Sequence, residues 1–361
     1  MKLKGLLLFT LLSSLVLPAN LATGKQSFTY LYTLSYSFEN QGTRTITIAE
    51  EDLMVPRFMN TTHQKVYIEE TTHPYIIKSD IDGNQALLID LDREIQGGEK
   101  DGFSLTYKIE SSTTTKPSFK LDEAEGIENI PSELILEYTS PSETFMSEDK
   151  EILNLSMSLV NEENSVLENT LSLIEYIMTE IDYTHFEYPL YPNQTLNTGK
   201  GDCDDQSILL ISMLRSLGIP AYLQVGIIFH PNIKDSSTSW EGHLTNIQEG
   251  VGWHGWTMVY IPPWGWIPVD LTMNKSDDAL DILKKAPEYD SNVIPAINVS
   301  DQSYITETLV TRKRIMESEL YVTLNDKAVQ INNQDNKQNW LIIALGGTTA
   351  IAIALMFYFK D

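Results

Sequence analysis

The chain has 361 residues, 42% of them hydrophobic, with 50 acidic against 25 basic side chains and a formal net charge of −25. A field of that sign repels nucleic acid and anionic lipid surfaces, so neither is an expected partner. One cysteine stands in the whole sequence, which excludes an intrachain disulfide.

Residues 1–22 have two early lysines, an apolar run from Gly5 to Leu17, then Pro18 and small residues up to Ala22. This is the layout of a secretory signal peptide. The next domain is expected over residues 26–130, with a period of two from Phe28 to about Ser111, as in Phe28-Thr-Tyr-Leu-Tyr-Thr-Leu-Ser-Tyr-Ser-Phe38, Lys65-Val-Tyr-Ile68 and Phe103-Ser-Leu-Thr-Tyr-Lys-Ile109. Turn signals such as Asn40-Gln-Gly42 and Asp82-Gly-Asn84 separate the runs, so an antiparallel β-sandwich is expected here. Asp80-Ile-Asp-Gly-Asn84 lacks the later ligands and closing Glu of a calcium loop and reads as a hairpin turn.

A Ser/Thr/Lys/Glu-rich stretch near 112–131 marks a domain boundary, and beyond it the period changes. Helices are expected over 147–159 and 165–181, with an irregular aromatic segment over 183–198. Asp202 is placed to N-cap the next helix, whose apolar stripe of Ile208, Ile211, Leu214 and Leu217 stops at Gly218 and Pro220. The acidic neighbours Asp204 and Asp205 favour its first turn, which makes capping rather than metal binding their expected task. Runs at 221–229, 254–261 and 264–270 read as strands, so the second domain, 131–324, is α+β. Residues 229–251 are expected to loop over the site. The Asn/Gln/Asp-rich residues 325–339 read as a flexible linker, and the uncharged segment within 340–359, bounded by Trp340 and Tyr358, reads as a transmembrane helix. Glycan sequons at Asn60, Asn154, Asn193, Asn274 and Asn298 agree with an extracytoplasmic position for the bulk of the chain, on a single-pass anchor in the cell membrane.

An unpaired thiol in an exported protein points to chemistry rather than to a staple. Cys203 opens a helix, and a thiol nucleophile needs an imidazole to take its proton and a third group to hold that imidazole. His254 begins a strand, and Asp270 ends the next one after the Pro262-Pro263 turn, so antiparallel pairing can set the acid beside the ring. His243 and His230 are the alternative bases. The four tryptophans Trp253, Trp256, Trp264 and Trp266 are expected in the core or the cleft wall.

The blocks Gly201-Asp-Cys203, Leu214-Arg-Ser-Leu-Gly-Ile-Pro-Ala221, His254-Gly-Trp256 and Gly265-Trp-Ile-Pro-Val-Asp270 together resemble the transglutaminase-like superfamily, a core of papain-type fold. The resemblance implies Cys203 as nucleophile, His254 as base and Asp270 as orienter. Gly255 and Tyr222 stand where that family often has Ala and Arg. The function it implies is cysteine-dependent acyl transfer on protein or peptide carbonyls at the cell surface, through a thioester. A protease or amidase using the same triad, or a non-catalytic adhesion protein, are the alternatives. No cofactor motif is visible, and calcium is not indicated.

Overall fold

The computed structural model describes residues 27–274 and 276–331. The segments expected as signal peptide (1–22) and transmembrane helix (340–359) lie outside them. Among the described residues no helix is long and apolar enough to cross a membrane.

The fold is mixed α/β and is organised on one eight-stranded sheet. Its strands are β1 (Ser27–Asn40), β2 (Gln64–Thr71), β3 (Lys100–Ser112), β4 (Ala221–Ser239), β5 (Leu244–Ile261), β6 (Gly265–Val269), β7 (Val293–Val299) and β8 (Leu320–Gln330). The order across the sheet is β7-β4-β5-β8-β1-β3-β2, with β6 attached to β5. In β1 the alternation seen in the sequence is the alternation of burial: Tyr30, Tyr32, Leu34, Tyr36 and Phe38 all point into the core. Three short strands, Met54–Pro56, Gln85–Ile89 and Tyr75–Ser79, form a second sheet. The Tyr107 hydroxyl of β3 donates to the carbonyl of Pro56 at 2.6 Å, and the Phe58 ring lies 5.8 Å from Tyr32 and 5.1 Å from Tyr107. A β-sandwich is expected of the N-terminal half; its main sheet runs on past residue 130 into the strands that follow. The bridge is β8, antiparallel to β1 on one side and parallel to β5 on the other.

Two expectations are corrected here. Residues 325–330, read as the start of a flexible linker, are the second half of β8. A polar run can be a central strand when its inward positions find partners: Asp326 is 2% exposed and accepts hydrogen bonds from the Tyr32 hydroxyl (2.9 Å) and the Trp253 indole N–H (3.0 Å). Residues 229–251, read as a loop over the site, are largely a continuation of the β4–β5 hairpin, paired from Lys234↔Glu249 to Ser239↔Leu244 after a bulge. Its inward face includes Asn246 and Gln248, both buried, so apolar periodicity does not show there.

Helices α1 (Lys150–Leu159) and α2 (Val166–Glu180) lie near their expected positions. The Asp149 side chain accepts from the N–H groups of Glu151 and Ile152, and Ser165 with Glu168 forms a capping box. Helix α3 (Cys203–Ser216) packs against both and against β5. The expected single stripe understates its position, because every residue from Cys203 to Arg215 is buried. At its end Gly218 takes a left-handed φ of 75°, and the buried Arg215 guanidinium donates to the carbonyls of Ala221 and Ser140, each at 2.8 Å, and of Ser300 at 3.2 Å. A further helix, α4 (Tyr304–Met316), precedes β8.

Candidate active site

Cys203 is the first residue of α3, and the chain entering that helix is held by its own acids. The Asp205 carboxylate reaches back to the Asp202 N–H (3.1 Å) and accepts the Leu190 N–H (2.6 Å). Asp202 occupies the N-cap position, but its carboxylate turns to the His185 ring (3.3 Å) and the Phe186 N–H (3.4 Å). Asp204 accepts from the Tyr304 hydroxyl at 3.0 Å. The three acids are 1%, 0% and 0% exposed, so the capping expected of Asp202 and Asp205 is made inside the fold rather than at its surface. Burial, then the charges of Asp204 and Asp205, push the Asp202 carboxyl well above its usual range. Burial, then Asp204, push Asp205 up to about 8. His185 and Tyr304 carried no sequence signal, since each is joined to these acids only through the fold.

His254 sits in the middle of β5, where that strand lacks a neighbour on one side. Its residues 244–249 pair with β8 and its residues 257–261 with β6, which leaves 251–256 without a strand partner on that side, and α3 packs against β5. Thr257 ties the two elements by donating to the Ser207 carbonyl at 3.2 Å. Opposite His254 on β4 stands Gly226, where a Cβ would come within 2.3 Å of the Ile294 carbonyl oxygen and 2.8 Å of the Trp256 ring. Asp270 follows β6 directly. Its Oδ2 accepts from His254 Nε2 at 2.8 Å, and its Oδ1 accepts the N–H groups of Thr272 and Met273, each at 3.0 Å. Burial raises Asp270, but the His254 ring and those two N–H groups outweigh it and hold the carboxyl low.

The Asp270 bond leaves His254 Nδ1 buried with no hydrogen-bond partner. The Cys203 thiol is 5% exposed and lies near the backbone N–H of Gly255, the residue after His254, which favours its anion. Burial, then Asp202 and Asp204, push this thiol well above its ordinary range, against the Gly255 N–H. The three expected residues are thus brought to one locality: the sulfur against the backbone of the strand that bears the imidazole, and the imidazole on the acid. His243 and His230 lie elsewhere, the first on the Leu320 carbonyl at 2.9 Å and stacked on Tyr321, the second bonded to Asn232 on the hairpin arm. Trp253 and Trp256 are buried, Trp264 and Trp266 partly so.

A cleft of about 490 Å³ runs beside the site, lined among others by Tyr183, Gln206, Thr272 and Asp277. Gln206 lies one turn after Cys203, and Thr272 holds Asp270. Two clusters bring metal-ligand atom types within 4.8 Å of one another, Asp202–Cys203–Asp204 and His254–Asp270–Glu288. In the first, one oxygen of Asp202 and one of Asp204 already accept internal hydrogen bonds, and in the second His254 Nε2 is bonded to Asp270, while the Glu288 oxygens have no partner.

The model of the transglutaminase-like superfamily matches residues 154–271, from within α1 to just past Asp270. No curated protein matches the chain. Among solved structures, a candidate cysteine protease from Cytophaga hutchinsonii is similar at 12% identity over 90% of this chain and 96% of that one, with a TM-score of 0.55. The periplasmic domain of TgpA from Pseudomonas aeruginosa is 14% identical over 70% of this chain and 92% of its own, at 0.33. Red sea bream transglutaminase is 9% identical over 70% and 49%, at 0.30. Residues 154–271, which contain Cys203, His254 and Asp270, are a transglutaminase-like core.

Proposed function

We propose that the protein is a cysteine-dependent acyl-transfer enzyme acting on protein amide or peptide carbonyls, with Cys203 as nucleophile, His254 as base and Asp270 as the group that holds the base. The observation that carries this reading is the hydrogen bond from His254 Nε2 to Asp270, which leaves a buried, unpartnered Nδ1 on the strand whose next N–H lies near the Cys203 sulfur.

The thiol will not ionise unaided. Burial and two adjacent carboxylates oppose it, and the α3 N-terminus contributes only about 0.3–1 kcal/mol, up to ~2 in favourable geometry. The proton must pass to His254, whose positive charge Asp270 then balances. Sulfur attack on the carbonyl gives a tetrahedral oxyanion, which the Cys203 N–H at the open end of α3 faces. Collapse, with His254 returning the proton to the departing nitrogen, leaves a thioester on Cys203, and an amine or water then takes the acyl group. Hydrolysis is the second reading, supported by the fold shared with the Cytophaga candidate protease. We place this activity outside the cell on a membrane anchor, with surface proteins or peptides as substrates, on the strength of the sequence at 1–22 and 340–359.

Incubating the full chain with a labelled primary amine and a glutamine-rich protein tests the proposal. Labelled product identifies transfer and new N-termini identify hydrolysis. Neither product, together with a Cys203 that iodoacetamide does not alkylate near neutral pH, rejects the enzyme.

A further inference from the structure

Glu288 lies in the 3-10 turn Pro287–Tyr289, beyond the matched core. Its carboxyl reaches the far side of the His254–Asp270 pair, with one ligand-type atom of each of the three residues within 4.8 Å of the others. Both of its side-chain oxygens are buried and neither has a hydrogen-bond partner among the donors of the fold. An ionised carboxylate only accepts hydrogen bonds, and two of them at such range in a buried site cannot both stay charged. One must hold a proton. Asp270 already accepts from His254, from Thr272 through both N–H and O–H, and from Met273, all of which favour its anion. Nothing comparable supports an anion at Glu288, so the proton belongs there.

We propose that Glu288 is a positioning residue of this site, its carboxyl O–H donating to the Asp270 carboxylate and so fixing the acid that orients His254. Burial, then the Asp270 charge, push the Glu288 carboxyl well above its usual range, in keeping with that assignment. The charged groups acting on it are negative: besides Asp270 there is Asp290, whose own partner is Lys116 at 3.8 Å. Kept neutral, Glu288 adds a donor to Asp270 without adding charge to the imidazole's surroundings. If it ionises at high pH, it repels the acid it steadies.

This inference rests on the roles given above to Cys203, His254 and Asp270, and its test separates the two. Iodoacetamide alkylation of Cys203 is followed against pH in the full chain for wild type, His254→Ala, Glu288→Gln and Glu288→Leu. If His254→Ala leaves the profile unchanged, the triad reading fails, and the role of Glu288 fails with it. If His254→Ala removes reactivity near neutral pH, the Glu288 variants decide. The Gln variant still offers an N–H donor and is expected within about twofold of wild type, whereas Leu lowers the rate roughly tenfold and moves the profile, as loss of a buried hydrogen bond to a charged group should. A purely structural role would lower the melting temperature without moving the profile. A Leu profile that overlays wild type, or a Gln variant that falls as far as Leu, overturns the proposal. Should the Leu variant not fold, the infrared difference between wild type and Glu288→Gln at neutral pH decides instead. A protonated-carboxyl C=O band present in wild type and missing in the variant supports the proposal, and no such band overturns it.

Discussion

Replacing Asp326 by Asn should alter how the stability of the whole sheet depends on pH. Asp326 is 2% exposed on β8, between the Tyr32 hydroxyl and the Trp253 indole, and burial raises its carboxyl from 3.8 to about 6 despite those two hydrogen bonds. The folded chain therefore holds this proton more tightly than the unfolded chain does. Below pH 3.8 both states are protonated and the stabilising contribution is complete. As pH rises from 3.8 to about 6 it is lost, and above that the folded state carries a buried charge with no cation on it. The difference 6 − 3.8 is about 2 units, which at ~1.4 kcal/mol per unit amounts to about 3 kcal/mol. An Asn at this position stays neutral, accepts from the indole through its carbonyl and donates to the Tyr32 oxygen through its amide. Urea unfolding of both chains at a series of pH values measures the effect. The variant should gain on wild type by about 3 kcal/mol between pH 3.5 and 7, and Asp205, which also titrates high, cancels in the difference. A difference that stays constant across that range would refute the burial and bonding described for Asp326.

Asp270→Asn should lower turnover by ~10³–10⁴ with the fold retained, because an amide in that place favours the wrong imidazole tautomer, and a loss under tenfold in steady-state kinetics would count against its role. Cys203→Ala should abolish turnover and leave thermal unfolding close to wild type. Gly226→Ala forces a methyl to within 2.3 Å of the Ile294 carbonyl oxygen, so a loss of about 1–3 kcal/mol is expected in denaturant unfolding, with β7 separated from β4. Arg215→Ala strips the donors from the carbonyls of Ala221, Ser140 and Ser300 and should cost about 3–5 kcal/mol, read in the same assay.

What could be read in the sequence was whatever is written locally. The Cys203, His254 and Asp270 positions come from residue types in short ordered blocks, and β1 comes from strict alternation of aromatic and polar residues. The helix caps at Asp149 and Ser165 come from side chains a few positions from the groups they bind. What stayed hidden is written across the chain. The continuation of β8 through Asp326 depends on Tyr32 and Trp253, and the hairpin arm buries Asn246 and Gln248 where periodicity expects leucines. The acids beside Cys203 read as helix-capping residues, but their burial did not show, because Tyr304, His185 and the Leu190 N–H, which hold them inside, lie 15 to 100 positions away. Glu288 escaped for the same reason, having no motif of its own and meeting Asp270 only in three dimensions.

The place of β8 has a consequence for synthesis. A ribosome delivers β1 about 290 residues before β8, the strand that flanks it, with Tyr30 facing Gln330. Cys203, His254 and Asp270 will all have left the exit tunnel while the nascent chain still holds two half-sheets, each with a raw edge that invites mispairing or a chaperone. Among the described residues only β8 closes that seam, so a message cut short before codon 320 yields every residue of the triad and no finished platform to carry it.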